Sequence, residues 1–294
     1  MDDENGNERL TLLAVHAHPD DEVFGTGGVL ARAADEGIHT VLICSTGGEV
    51  GEIHDPDLDP DEARGRLAQI REQELRRACA ILNVAELHFL GYRDSGMVGT
   101  PDNADPRNFH NADPTEAAGR VARIIRQARP QVVVTYNPYG GYGHPDHIAA
   151  HHAAVAAFDM AADPACFPEQ LAEGLAPWQA QKLYYTAIPR SGIQEMGEIM
   201  RERGIDGPFS REDVDLTDMT TPDDEITTRV DVGDYVAQKR AALQAHRTQI
   251  GAEHFMMLLP EDISRRILSA EMFVRARSLV EAPIPEDDLF SGIR

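Results

Sequence analysis

Apolar segments alternate with amphipathic segments from Leu10 to about residue 190, and this alternation constrains the fold more than any other feature of the chain. A short, fully apolar run is typical of a strand that is buried on both faces, and an amphipathic run of ten or more residues is typical of a covering helix. Strand, helix and strand in steady alternation predict βαβ units with right-handed crossovers. We therefore expect an α/β fold, with a Rossmann-like, mostly parallel sheet, helices on both faces and a C-terminal extension.

The apolar and amphipathic patterns predict individual elements. The predicted strands are 10–17, 39–45, 86–91, 131–136 and 182–188, and the predicted helices are 27–36, 60–82, 114–127, 146–160, 235–249 and 261–282. Asp59 and Asp113 each precede a proline, which is the pattern of an N-cap followed by the first helical position. Gly37 is expected to end the first helix.

One domain is predicted over 10–294, because no internal repeat or linker divides the chain. It follows a flexible N-terminus at 1–9 and consists of a core at about 10–190 and a C-terminal elaboration at about 191–294. Segment 206–225 carries eight acidic residues against one arginine, so we expect a surface loop or a lid there.

The charge balance excludes several classes of partner. Twenty-seven basic residues stand against 50 acidic ones, a net charge of −23, which disfavours binding to nucleic acid or to an anionic membrane.

No stretch has 18 uninterrupted apolar residues, and 1–9 lacks the basic-then-apolar pattern of a secretory signal. The three cysteines form no Cys-x-x-Cys motif, as is typical of a reducing compartment. We expect a cytoplasmic protein without nucleic-acid or membrane partners, and homo-oligomerisation stays open.

Two polar clusters, each containing a His-Pro-Asp triplet, follow predicted strands. The first is His18-Pro19-Asp20-Asp21-Glu22 after strand one, and the second is Tyr142-Gly143-His144-Pro145-Asp146-His147 after strand four. Strands one and four are neighbours in the common doubly wound order, where ligands bind beyond the carboxyl ends of the strands. One triplet alone can be a helix entry, with proline at the first position and aspartate near the positive end of the dipole. Two triplets at neighbouring strand ends favour a shared site.

The residue types in these clusters suit a catalytic zinc site, which needs three protein ligands and an open position for water. His18, Asp21 and His147 form a two-histidine, one-carboxylate set for one Zn²⁺ per chain, and Fe²⁺ would fit the same ligands. Zinc lowers the pKa of its water to roughly 7, and Asp20 is the predicted general base for that water.

The second cluster supplies the other groups that amide hydrolysis requires. His144 is predicted to act as general acid or as an electrostatic partner for an oxyanion, with Asp146 nearby to orient and charge it. Tyr142 is predicted to donate a hydrogen bond to the same developing charge.

Three other histidines are candidates for the same site. His151 stays an alternative ligand, because it lies four residues after His147 and therefore on the same helical face. His16 is expected to be packed beside the site rather than to be a fourth ligand. His246 lies in the C-terminal part of the chain, and whether its side chain contacts the site stays open.

The motifs HAHPDDE (16–22) and GYGHPDH (141–147) resemble the LmbE-like, PIG-L-type zinc-dependent deacetylases of N-acetylglucosaminyl conjugates. Within that family the chain is most similar to the actinobacterial mycothiol-pathway enzymes. The likeness is strong over about 10–156 and recurs at 182–185 and 239–250. It implies the same metal, base and acid roles, and it adds substrate contacts at Glu49, Arg71 and Asp94.

The resemblance implies a hydrolase of linear amide C–N bonds that removes acetyl from an N-acetylglucosaminyl-inositol, a small-molecule sugar conjugate of mycothiol biosynthesis. Mycothiol S-conjugate amidase and deacetylase of another acetamido sugar conjugate remain alternatives, although RDSGMVGT (93–100) favours the deacetylase branch. A metal- or sugar-binding protein without turnover is a further alternative, as is a nucleotide-binding α/β protein. The glycines at 25–28 favour the nucleotide only weakly, because the third glycine of the dinucleotide fingerprint is missing.

Overall fold

A mostly parallel sheet lies at the centre of the computed structural model, which describes residues 9–207, 209–211 and 216–294. Over the described residues the sheet has seven strands in the order β3-β2-β1-β4-β5-β7-β6. The strands are β1 (Thr11–His16), β2 (His39–Thr46), β3 (Glu86–Tyr92), β4 (Val132–Thr135), β5 (Lys182–Ala187), β6 (Thr228–Asp231) and β7 (Ala270–Ser278). The pairs among β1 to β5 are parallel, and β7 is antiparallel to both β5 and β6. This topology confirms the predicted fold class.

Helices cover both faces of the sheet. Over the described residues they are α1 (Asp21–Asp35), α2 (Pro60–Arg64), α3 (Leu67–Leu82), α4 (Pro114–Ala128), α5 (Gly140–Gly143), α6 (Pro145–Met160), α7 (Pro168–Ala172), α8 (Arg190–Arg203), α9 (Val236–Ala245), α10 (Phe255–Leu258) and α11 (Glu261–Leu268). Alternate residues of β1 point to opposite faces, as the pleat requires. Leu13 and Val15 pack with residues of α4 and α6, whereas Leu12 and Ala14 pack with residues of α1 and α3.

Two predicted helices have different bounds in the structure. The segment predicted as one helix over 60–82 forms two helices, α2 and α3, because the backbone leaves the helical conformation at Arg66, which has a φ of −128° and a ψ of 16°. Asp59 caps α2 as predicted, accepting hydrogen bonds from the N–H groups of Asp61 and Glu62. The helix predicted over 27–36 already begins at Asp21, because acidic residues suit the first turn of a helix.

The helix predicted over 261–282 is wrong in its second half. The helix ends at Leu268, and Ala270–Ser278 forms β7, which pairs with β5 and β6. The residues of β7 include Ala, Glu, Met and Arg, which favour a helix in isolation, so pairing with two strands overrides local propensity here. Neither β6 nor α8 was predicted.

Two predicted segments lie partly outside the described residues. Of the N-terminus predicted at 1–9, the structure describes only residue 9, and of the predicted lid at 206–225 it leaves out 208 and 212–215. The lid role therefore stays a prediction, as does the domain division near residue 190. Within the part of the chain that is described, no helix has the length and apolar character needed to cross a membrane.

The C-terminal region is bonded to the middle of α1. Glu271 of β7 accepts hydrogen bonds from the backbone N–H groups of Gly28 and Val29, at 2.7 and 2.8 Å, and pairs with Lys239 of α9 at 2.5 Å. Lys239 also donates to the carbonyl of Phe24, four residues before Gly28. Because both charged side chains are only 2% exposed, this pair fixes α1, whose first turn carries the first polar cluster.

Candidate active site

The three side chains predicted to bind the metal converge beyond the ends of β1 and β4. The Nδ1 atom of His18 lies 3.1 Å from Nε2 of His147 and 3.4 Å from Oδ2 of Asp21, and the last two atoms are 3.3 Å apart. Ligands bound at about 2.0–2.1 Å in a tetrahedral set, as around zinc, are separated by about 3.3 Å. The triangle therefore fits a cation of that size. His144 belongs to the same cluster, since donor atoms of His18, His144 and His147 all lie within 4.8 Å of one another.

The hydrogen bonds of the two rings direct the correct nitrogens toward this triangle. Nδ1 of His147 lies 3.0 Å from the carbonyl oxygen of Gly140 and donates to it, which leaves the Nε2 lone pair free. Nε2 of His18 lies 3.3 Å from Oδ2 of Asp146, which leaves Nδ1 facing the other two ligand atoms. A carboxylate or carbonyl behind a histidine is the usual support of a metal ligand.

Gly140 is required by this arrangement. Its φ is +71°, and an added Cβ would lie 2.8 Å from both Cβ of His147 and the backbone nitrogen of Ile148. A larger residue would therefore displace the carbonyl that orients the His147 ring.

Negative charge surrounds His18. Burial disfavours the charged form of the ring, but hydrogen bonds with Asp146, Asp21 and Asp94 outweigh burial and raise the pKa of His18 well above its usual value. These carboxylates favour positive charge at this position, which a bound divalent cation would supply in place of the proton.

Tyr136, which the sequence analysis missed, holds the Asp21 carboxylate. Its hydroxyl donates to Oδ2 of Asp21 at 2.7 Å and accepts from the backbone N–H of Ala17 at 2.9 Å. Its ring also stacks on the ring of His147, with centroids 4.2 Å apart. The only sequence signal was its place directly after the apolar run of β4, where a side chain can reach the site.

We expect Tyr136→Phe to weaken zinc binding by about 10–100-fold, because a ligand that loses its hydrogen-bonding support binds less well. Stability should also fall by about 1–3 kcal/mol, since the N–H of Ala17 loses its acceptor. Chelator competition and thermal unfolding measure the two effects. Tyr139→Phe is the matched control, because Tyr139 lies in the same β4–α6 connection but is 40% exposed. Equal zinc affinity in Tyr136→Phe and wild type would contradict the role.

Asp20, the predicted base, precedes α1 in a strained backbone conformation. Its φ is 117° and its ψ is −28°, a region that costs a residue with a side chain about 1–3 kcal/mol. Its Oδ2 atom lies 3.4 Å from a guanidinium nitrogen of Arg71. Burial raises the pKa of Asp20 to about 6; Arg71 opposes this shift and Asp21 adds to it. A carboxylate with such a pKa suits proton transfer near neutral pH.

His144 is a neutral hydrogen-bond donor in this structure. Its Nδ1 atom accepts from the backbone N–H of Asp146 at 3.1 Å, so the ring proton resides on Nε2. Burial, together with the electrostatic influence of the neighbouring His18 and His147, lowers the pKa of His144 to about 4. At pH 7 the ring can therefore donate one hydrogen bond through Nε2.

The Asp146 carboxylate contacts His18 rather than the His144 ring. It accepts from the backbone N–H groups of Ser95 and His110, at 2.8 and 3.0 Å, in addition to its contact with His18. Asp146 thus reaches His144 through its backbone N–H and acts on the ring charge only across space. Its predicted role in tuning His144 stays a prediction.

The predicted substrate contacts surround the same cluster. Glu49 accepts from the backbone N–H of Asp94 at 2.9 Å, and Oδ1 of Asp94 lies 3.5 Å from Nε2 of His18. Arg71 is buried and donates to the carbonyls of Gly48 and Pro19 at 2.9 and 2.6 Å. Tyr142 is 43% exposed.

Tyr142 contacts a predicted metal ligand, whereas His151 bonds to the backbone. The centroid of the Tyr142 ring lies 4.8 Å from that of the His147 ring, and the role of Tyr142 as an oxyanion donor stays a prediction. His151 instead shares a hydrogen bond of 2.9 Å with the carbonyl of Tyr136. Neither His151 nor His16 belongs to a metal-binding group among the described residues. His16 is buried, and its Nε2 atom lies 2.8 Å from the hydroxyl oxygen of Thr26.

Comparison with known proteins identifies the family of this chain. The family model PIG-L, described as GlcNAc-PI de-N-acetylase, matches residues 13–158. The chain is 44% identical over 300 residues to a 1D-myo-inositol 2-acetamido-2-deoxy-α-D-glucopyranoside deacetylase of Thermobifida fusca (strain YX), covering 97% of this chain and all of that protein. It is 43% identical to the enzyme of the same name from Thermomonospora curvata, covering 96% of each.

Solved structures show the same fold. The N,N'-diacetylchitobiose deacetylase of Pyrococcus horikoshii superimposes with a TM-score of 0.62 at 20% identity, covering 91% of this chain and 84% of that one. Together with the identity to the two relatives over nearly the whole chain, these matches lead to one assignment. The chain belongs to the PIG-L family and is a deacetylase that hydrolyses an amide bond.

Proposed function

We propose that this deacetylase removes the acetyl group from an N-acetylglucosaminyl-inositol in mycothiol biosynthesis, releasing acetate and a free amine. The observation that carries the proposal is the triangle of His18, Asp21 and His147 atoms, 3.1–3.4 Å apart, with Asp20 adjacent in sequence. The proposed substrate is the one in the names of two relatives that match this chain over nearly its entire length, 1D-myo-inositol 2-acetamido-2-deoxy-α-D-glucopyranoside.

We assign the metal position to His18, Asp21 and His147, and the metal to zinc, with Fe²⁺ as the alternative for the same donors. When bound, such an ion polarises the acyl oxygen and lowers the pKa of water. Tyr136 and Asp146 keep the ligands oriented through the bonds described above.

Asp20 acts as the general base. Its carboxylate accepts a proton from the attacking water, whose oxygen bonds to the acyl carbon, and the same proton is available for the amine when the C–N bond breaks. The pKa of about 6 permits both transfers near neutral pH.

His144 serves as an oxyanion stabiliser rather than as a charged acid. A charged ring would point an Nδ1 proton at the N–H of Asp146, which now donates to that nitrogen. The neutral ring donates through Nε2, and Tyr142 is the proposed second donor to the same oxygen. Glu49, Arg71 and Asp94 remain the proposed contacts for hydroxyl groups of the sugar and the inositol.

The test is metal content, followed by acetate release from N-acetylglucosaminyl-inositol, with a mycothiol S-conjugate and free N-acetylglucosamine in parallel. We expect one zinc per chain and fastest release from the inositol conjugate. Cleavage of the S-conjugate alone would replace this proposal with the amidase alternative. Bound metal without turnover of either conjugate would point to another acetamido sugar, and a chain that binds no metal would overturn the mechanism.

A further inference from the structure

The peptide group between Pro19 and Asp20 is held at both of its polar atoms by hydrogen bonds. The backbone N–H of Asp20 donates to Oε2 of Glu22 at 3.0 Å, and Arg71 donates to the carbonyl of Pro19 at 2.6 Å. A residue with a side chain persists at φ 117° only where the surroundings determine its conformation. The bond to Glu22 directly constrains the peptide group of the proposed base.

Glu22 is in turn held by His246, which is distant in sequence. Oε1 of Glu22 lies 2.7 Å from Nε2 of His246, at the C-terminal end of α9. Glu22 is 1% exposed and His246 is fully buried, and Nδ1 of His246 has no hydrogen-bond partner among the described residues. The His246 ring therefore makes its hydrogen bond with the Glu22 carboxylate.

The burial of Glu22 argues against a role in helix stability alone. An acid in a first helical turn needs only to face the positive end of the dipole, which it can do from the surface. Glu22 instead places its carboxylate near that of Asp20, where like charges repel, and uses its two oxygens for different partners.

We propose that Glu22 and His246 are positioning residues that hold Asp20 in its productive conformation, so that the end of α9 controls the orientation of the base. The inference rests on the proposed function, in which Asp20 is the general base. It goes beyond that function by assigning a role in turnover to two residues that are neither predicted metal ligands nor proposed substrate contacts.

The kinetic test compares Glu22→Ala, His246→Ala and His246→Gln with wild type. We expect Glu22→Ala to lower kcat about 100-fold, because a displacement of about 1 Å at a reacting group has an effect of this size. His246→Ala should lower kcat about 10-fold, and His246→Gln should recover most of the loss, since its amide can donate to Glu22. KM and zinc stoichiometry should be unchanged in all three variants. The double alanine variant should be no slower than Glu22→Ala, because His246 acts through Glu22.

Thr248→Val is the matched control for this segment. The Thr248 hydroxyl bonds to Glu74, so the substitution removes a different buried contact two residues from His246. We expect it to lower the Tm while leaving kcat unchanged. If Glu22→Ala and His246→Ala likewise change only the Tm, the pair is structural and the proposal fails.

Crystal structures of wild type and Glu22→Ala provide a readout that does not depend on activity. We expect Asp20 to leave the positive-φ region in Glu22→Ala and to retain it in wild type. An unchanged Asp20 backbone and carboxylate in Glu22→Ala would overturn the proposal even if the wild-type enzyme deacetylates its substrate. If wild type releases no acetate from any tested conjugate, the proposed function fails, and this comparison still decides whether Glu22 positions Asp20.

Discussion

Asp20→Asn is expected to lower kcat for acetate release by about 10³-fold, because an amide cannot take a proton from water at neutral pH. Asparagine keeps the size of the side chain and an oxygen that can face Arg71, so the fold and the strained turn should persist. Zinc stoichiometry should stay at one per chain, since Asp20 is not in the ligand triangle. Acetate release and metal analysis on the same sample measure both quantities.

Asp61→Asn is the matched control for loss of a carboxylate at the start of a helix. Asp61 is an exposed residue in the first turn of α2, so its change should leave turnover and metal content at wild-type levels. Retained activity in Asp20→Asn would refute the base assignment. Loss of zinc together with activity would instead make Asp20 part of the metal site.

His147→Ala should lose stoichiometric zinc and measurable turnover together. The remaining pair, His18 and Asp21, offers two ligand atoms where a catalytic zinc site has three. We expect zinc affinity to fall by more than the roughly 10–100-fold that follows loss of a supporting bond around a ligand. Added zinc should also stop raising the Tm, since that rise depends on binding to the folded state.

His152→Ala provides the comparison within the same helix. His152 is exposed in α6, five residues after His147, so its loss should change neither zinc content nor kcat. Full zinc occupancy in His147→Ala would show that another group, with His144 the nearest candidate, completes the ligand set.

The sequence predicts the five parallel strands well, because β1, β2 and β4 contain short apolar runs that are typical of a buried strand, and β3 and β5 recur between amphipathic helices. Its antiparallel extension could not be predicted in the same way. The residues of β7 are partly exposed and include helix formers, and their strand conformation depends on pairing with β5 and β6. Tertiary pairing of this kind leaves no local periodicity to detect.

The same distinction applies to the site. His18, Asp21 and His147 were predictable as a group because each follows a strand end, and topology brings those ends together. Tyr136 was missed because a tyrosine after an apolar run is equally typical of the core. The contact between Glu22 and His246 joins residues 224 positions apart, and only the packing of α9 on α1 determines it.

The bonding of Glu271 and Lys239 to the middle of α1 has a consequence for how this enzyme can diverge. The match to the family model ends at residue 158, yet α1, which begins with the predicted metal ligand Asp21, is held by side chains more than 80 residues further along the chain. A relative can therefore retain both His-Pro-Asp clusters unchanged and still acquire a different turnover rate through substitutions in its last third. Transferring the N-terminal half alone into another protein would transfer the predicted metal ligands without Glu271 and Lys239, which hold α1 in position.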